Sequence, residues 1–165
     1  MSRPDGSIRR ARPDEAEALT GLFWRSKAHW GYDEAFMARV RETLRITPEI
    51  IEQQHVYVLE TDGRIAGFYA LHVLPDRLHL EDLFIEPDQI GMGYGRRLFD
   101  HAVEVGRRLG YDSFTLESDP NAEEFYLKLG AIRVGEHESA IPGRFIPHLL
   151  VRFSPAAVPM SEERP

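Results

Sequence analysis

Apolar and polar positions along the chain change period several times, and each change marks an element. Residues 7–12 read as a short strand. Pro13 then opens a helix with Asp14, Glu15 and Glu17 in its first turn, where acids suit the positive end of a helix dipole. Leu19, Leu22, Phe23 and Ser26 keep helical spacing. After Gly31, Asp33 caps a second helix with Phe36, Val40 and Leu44 at four-residue intervals, and Thr47-Pro48 ends it and starts a further short turn.

Period two takes over at residues 55–60, and Thr61-Asp62-Gly63-Arg64 supplies turn chemistry before residues 65–74, giving an antiparallel hairpin. Residues 78–85 form another strand, stopped by Pro87. A glycine-rich stretch, 91–95, leads into a helix with Leu98, Ala102, Val105 and Leu109 on one face, closed by Gly110. Residues 111–117 read as a strand, 121–129 as a short helix closed by Gly130, and 132–136 and 145–153 as the last strands. Hairpin strands mixed with helical crossovers predict an α/β (mixed α+β) fold.

Composition narrows the function. The chain has 165 residues, 42% apolar and 28% charged, with no cysteine and a formal net charge of −7. A chain of this size builds one core, so residues 1–153 are expected to be a single domain and 154–165, proline-containing and poor in apolar residues, a flexible tail. Without cysteine there is no disulfide, thiolate metal site or cysteine nucleophile, and a reducing, cytoplasmic setting fits. The acidity argues against nucleic-acid binding and suits a cationic or amine substrate. No run of residues is long and apolar enough for a membrane span. The seven histidines make no helical pair with an acid of the metalloprotease kind, so no metal is expected.

The segment Leu83-Phe84-Ile85, followed by Gly91-Met92-Gly93-Tyr94-Gly95-Arg96, is the most informative. Alternating glycines between a strand end and a helix start let backbone N–H groups converge on an anion, with the dipole adding to the attraction. A tight turn alone would also use such glycines. A P-loop would need Lys-Ser/Thr after its last glycine and a dinucleotide fingerprint a later third glycine; neither is present.

Gly91-x-Gly93-x-Gly95 instead resembles motif A of the GCN5-related N-acetyltransferases, the GNAT superfamily. The stretch from Asp119 to Ala131, containing Asn121-Ala122 and Phe125-Tyr126, resembles motif B. The resemblance spans almost the whole chain. It implies a GNAT-like fold, with a central, mostly antiparallel sheet of about seven strands and about four helices, and acetyl-CoA as co-substrate. There are two departures. Ile90 stands where the family usually has Arg or Gln, with Gln89 one residue early; and Asp119 holds the place of the family's asparagine, so that Asn121 adjoins Ala122.

The resemblance implies direct attack of an amine on the thioester, with no acyl-enzyme. Tyr126 is the proposed donor to the leaving thiolate, against the alternative of a core aromatic beside Phe125. Glu81 is the proposed base, with Asp82 as a second anionic contact; the alternative is a Glu81–Arg77 ion pair, and Glu117 stands in reserve. Period two puts Glu81 on one face with His79, Leu83 and Ile85, and Asp82 on the other with Leu80 and Phe84. Leu83, Phe84, Ile85, Gly91, Met92, Gly93, Tyr94, Gly95, Arg96, Asn121 and Phe125 are the expected cofactor contacts. Trp24, Trp30 and Tyr32 are candidates for the acceptor wall, and Arg144 and His148 either touch substrate or face water. A small amine is favoured over a protein acceptor, and a homodimer is admitted. A non-catalytic acyl-CoA sensor and a protein or peptide N-acetyltransferase are the competing readings.

Overall fold

The computed structural model describes residues 6–154; the expected tail falls outside them except for Ser154. In chain order come β1 (Ser7–Arg10), α1 (Ala16–Ala28), α2 (Glu34–Thr43), α3 (Pro48–Gln53), β2 (His55–Thr61), β3 (Arg64–Val73), β4 (Leu78–Ile85), α4 (Tyr94–Arg108), β5 (Ser113–Glu117), α5 (Glu123–Lys128), β6 (Ile132–Glu138) and β7 (Phe145–Arg152). The strands form one seven-stranded sheet in the order β1-β2-β3-β4-β5-β7-β6. Every pairing is antiparallel except β4 with β5. Five α-helices are present among the described residues, against about four expected. The additional one is α3, where Thr47 accepts a hydrogen bond from Ile50 N and Pro48 occupies the first turn.

Two apolar cores sit on opposite faces of the sheet. Leu19, Leu22 and Phe23 of α1 and Ile51 of α3 pack on Val56, Val58, Phe68 and Ala70. Leu98, Phe99, Ala102 and Val105 of α4 pack on Tyr69, Leu71, Leu78, Leu80, Phe114 and Leu116, and Tyr126 of α5 joins them. The alternation along β3 divides its residues between these cores, as a strand buried on both faces requires.

Some boundaries differ from the periodic reading. A 3-10 turn, Pro13–Glu15, precedes α1, and another, Pro120–Ala122, precedes α5, so Asn121 lies before that helix and not in it. In α2 the buried residues are Met37 and Val40. Phe36 stacks on Tyr32 with ring centroids 4.0 Å apart, and Leu44 leaves the helix in an extended conformation.

The larger correction concerns β4. Asp82 pairs with Ala70, but Leu80 pairs with Leu71, so Glu81 is an extra residue in a β-bulge. The bulge reverses the alternation. Leu80 therefore lies on the α4 face while Asp82, opposite Ala70, lies on the α1 face, and Glu81 no longer shares a period-two row with His79, Leu83 and Ile85.

Candidate active site

β4 and β5 pair only at His79↔Thr115 and Leu80↔Leu116. Beyond them the strands part, and the gap opens into a cleft of about 630 Å³ bounded by Leu80 to Ile85 on one side and Leu116 to Asp119 on the other. That volume suits a medium-sized organic ligand. The bulge at Glu81 begins where the pairing stops, which ties the local irregularity to the opening.

The glycine loop closes one end. Gly91 and Gly93 have φ of 92° and 84°, and a Cβ built on either would meet nothing within 4 Å. Both glycines are thus needed for a left-handed backbone, and the space above them is open. Gly93 caps α4, whose first turn has no acidic residue. The N–H groups of Tyr94, Gly95 and Arg96 lie in the turn that a helix leaves without internal acceptors, so the positive dipole end faces the cleft without a counter-charge in that turn. Gly95 serves differently: a Cβ there would come within 3.2 Å of the Phe125 ring, so its absence lets α4 approach α5. This cradle fits a pyrophosphate, and the β4 edge from Leu83 to Ile85, unpaired towards β5, can accompany an extended amide-containing arm.

Most of the expected contacts line this cleft: Leu83, Phe84, Ile85, Gly91, Gly93, Tyr94, Gly95, Arg96, Asn121, Phe125, Tyr126, Glu81, Asp82 and Trp30. Met92 does not line it and points outward, 61% exposed. Trp24 is also outside the lining; its indole N–H donates to the Leu44 carbonyl at 2.9 Å, and the Arg45 guanidinium lies over its ring. Trp24 thereby fastens the end of α2 to α1.

The acids are placed unequally. Glu81 is solvent-exposed, with Oε1 3.4 Å from His72 Nδ1. Arg77, the alternative partner, bonds Thr115 and Asp76 instead. Asp82 is half-buried in the cleft wall. Burial pushes its carboxyl up to about 7, the neighbouring Glu81 charge adds to the rise, and Lys27 opposes it. Tyr126 is 7% exposed, and burial, then the Asp82 charge, raise its phenol above the ordinary range. Its ring meets Phe125 at 5.0 Å and Phe99 at 6.2 Å between centroids. It is at once a core aromatic and a wall of the cleft.

Asp119 holds together a network that the sequence reading missed. Its carboxylate accepts from Lys27 Nζ at 2.6 Å and Tyr32 OH at 2.8 Å, and from the backbone N–H of Asn121 at 2.8 Å. Asn121 Nδ2 donates to Tyr32 OH at 3.1 Å, and an Arg144 guanidinium nitrogen donates to the same oxygen at 3.0 Å. Tyr32, outside the cleft lining, therefore orients the wall from behind. Burial works to raise the Asp119 carboxyl, but Lys27 and the hydrogen bonds outweigh it and hold it below the usual range. The only trace of Lys27 in the sequence is its position one helical turn after Phe23; its partner Asp119 is far away along the chain.

Residues 16–131 match the acetyltransferase (GNAT) family. The peptidyl-lysine N-acetyltransferase YjaB of Escherichia coli is 32% identical over 150 residues, covering 89% of this chain and 96% of that one. YjaB of Salmonella typhimurium is 29% identical, covering 80% and 87%. Among solved structures, the PaiA N-acetyltransferase of Thermoplasma acidophilum, in complex with coenzyme A, superposes with a TM-score of 0.73 at 17% identity, covering 89% of this chain and 98% of that one. A parted strand pair, a glycine cradle at a helix start and a family match over most of the sheet converge: this chain belongs to the GNAT family and is an acetyl-CoA-dependent N-acetyltransferase.

Proposed function

We propose that the acceptor is a primary amine on an aliphatic arm, of the lysine side-chain type, acetylated by direct attack on the thioester. The observation that carries this reading is the cleft's composition: apolar Phe23, Trp30 and Leu44 accompany Glu81, Asp82 and Glu117. An alkyl stem suits the former and an ammonium the latter. The similarity to peptidyl-lysine acetyltransferases supports a peptide acceptor, in place of the small amine expected from the sequence. A free alkylamine shares the same chemistry and is the second reading, favoured by the chain's net charge of −7.

Acetyl-CoA supplies an activated acyl group. In this reading the backbone N–H groups after Gly93 hold its pyrophosphate, and the Leu83 to Ile85 edge aligns its arm. Asp82, with a carboxyl near neutrality, takes the proton from the ammonium, a role that suits its environment better than that of Glu81. Tyr126 donates to the departing sulfur. Glu81 and Glu117 attract the cation. The route uses side chains and backbone and needs no resident metal.

Among the described residues no helix is long and apolar enough to cross a membrane, and a cytoplasmic setting agrees with the absence of cysteine. The test is thiol release from acetyl-CoA with lysine-containing peptides, free lysine and polyamines, with products identified by mass. Acetyl-lysine peptide formed at the highest kcat/KM supports the first reading, and preference for a free amine the second. Binding of acetyl-CoA with no transfer to any amine would make the domain a sensor.

A further inference from the structure

Next to the proposed chemistry, three side chains from three adjacent strands converge on the α1 face of the sheet. Glu117 of β5 lies directly opposite His148 of β7, and His148 lies opposite Gly135 of β6. His137 is two residues further along β6, diagonal to His148 and on the same face. A Cβ on Gly135 would make only ordinary contact with His148 Nδ1, at 4.0 Å. The His148 ring leans towards His137.

The resulting geometry is compact. His137 Nδ1 and His148 Nε2 are 2.7 Å apart, His148 Nε2 and Glu117 Oε2 are 4.0 Å apart, and one donor atom from each residue lies within 4.8 Å of the other two. The rings meet at 62°, so the two nitrogens face each other across an edge and not in a stack. Such a pair shares one proton, and two protonated rings would repel each other.

A cation with bonds of about 2.0–2.1 Å to nitrogen places tetrahedral ligands roughly 3.3–3.4 Å apart. The present separations bracket that spacing, so small side-chain rotations suffice. Each ring nitrogen would present its lone pair, with its proton carried on the other nitrogen, and no net proton need leave a neutral pair. Both His148 and Glu117 are partly open to solvent, which provides entry and a position for water.

We propose that Glu117, His137 and His148 form a binding site for a divalent cation of the Zn2+ class, against the metal-free expectation from the sequence. Two imidazoles and one carboxylate are the donor set that such borderline cations favour. Glu117 also lines the acceptor cleft, so occupancy draws its carboxylate out of the ammonium's surroundings and makes the cation a brake on acceptor binding. Only this last consequence rests on the proposed function.

Binding is measured without acetyl-CoA, so its failure is separate from any failure of the catalytic reading. Calorimetry with Zn2+ and visible absorption with Co2+ on the wild-type protein should show one site per chain. His137→Gln and His148→Gln should each weaken it roughly tenfold or more. Histidine 1H–15N spectra of the wild-type protein provide a reading independent of variant folding: Zn2+ should shift the His137 and His148 rings. No saturable binding, affinity unchanged in both folded variants, or shifts confined to other histidines would overturn the site. With the site established, sub-stoichiometric Zn2+ should raise the acceptor KM of the wild-type enzyme and leave that of His137→Gln less affected; an equal rise in both would remove the brake.

Discussion

Leu80 of β4 and Leu116 of β5 are the last matched pair before these parallel strands separate, and the active-site cleft begins at that pair. Both leucines are buried under α4. The next residue on β4 is the bulged Glu81 and the next on β5 is Glu117, so the apolar floor gives way at once to acids. The predictions concern what those acids, the tyrosine beside them and the loop beyond them do.

Tyr126→Phe keeps the ring in its place against Phe99 and Phe125 and removes only the hydroxyl. Loss of general acid catalysis should lower kcat by roughly 10² to 10⁴. Steady-state kinetics on the acceptor with the highest turnover, together with CoA calorimetry, should show the loss in kcat with affinity little changed. Wild-type kcat in a folded Tyr126→Phe enzyme would leave the tyrosine as a wall only.

As the proposed base, Asp82 must be ionised, so kcat/KM should climb with pH and level off above about 7, the value to which burial pushes its carboxyl. Asp82→Asn should abolish that limb and most of the activity, whereas Glu81→Gln should chiefly raise the acceptor KM. Stability should move the opposite way. A carboxyl raised on folding favours the folded state most below its unfolded pKa, and that advantage fades as pH rises through the folded value. Asp82→Asn should therefore raise the melting temperature at pH 8 more than at pH 5, as followed by circular dichroism.

Gly93 adopts a φ of 84° at the cap of α4. Valine there is strained by about 1–2 kcal/mol before any ligand is considered, and its methyl groups occupy the open space above the loop. Gly93→Val should weaken CoA roughly tenfold or more in calorimetry, with unchanged affinity in a folded variant counting against the phosphate cradle.

Asp119→Asn leaves Lys27 and Arg144 beside a neutral amide. Breaking a buried ion pair costs about 3–5 kcal/mol, so the variant should melt well below the wild type at pH 7. The Asp119 carboxyl is held below its ordinary value, so its contribution is complete above the unfolded pKa and disappears as pH falls through the folded one. The gap between the two proteins should therefore narrow under acid, as thermal melts from pH 7 down to pH 3 would reveal.

Much of this was legible along the chain. The apolar spacing of α1 and α4, the Asp62-Gly63 hairpin and the glycines before α4 are local signals, because helix period, turn chemistry and left-handed backbone are set within a few residues. The loop and the Phe125-Tyr126 pair located the cleft for the same reason. Two features could not be read this way. The bulge at Glu81 exists because β3 and β4 pair out of step, so simple alternation put Leu80 on the face of Asp82 and Phe84, where it does not lie. The Lys27–Asp119 contact joins positions 92 residues apart.

The sequence by itself determined the order of the strands along the chain, the glycine loop ahead of α4 and the family, properties legible among neighbours along the backbone. Only the tertiary structure decided which acid's charge acts on Tyr126, which polar groups brace the cleft wall, and that Glu117, His137 and His148 meet on one face. Strand register and sheet order bring those groups together, and both depend on pairings between distant segments that no local pattern encodes.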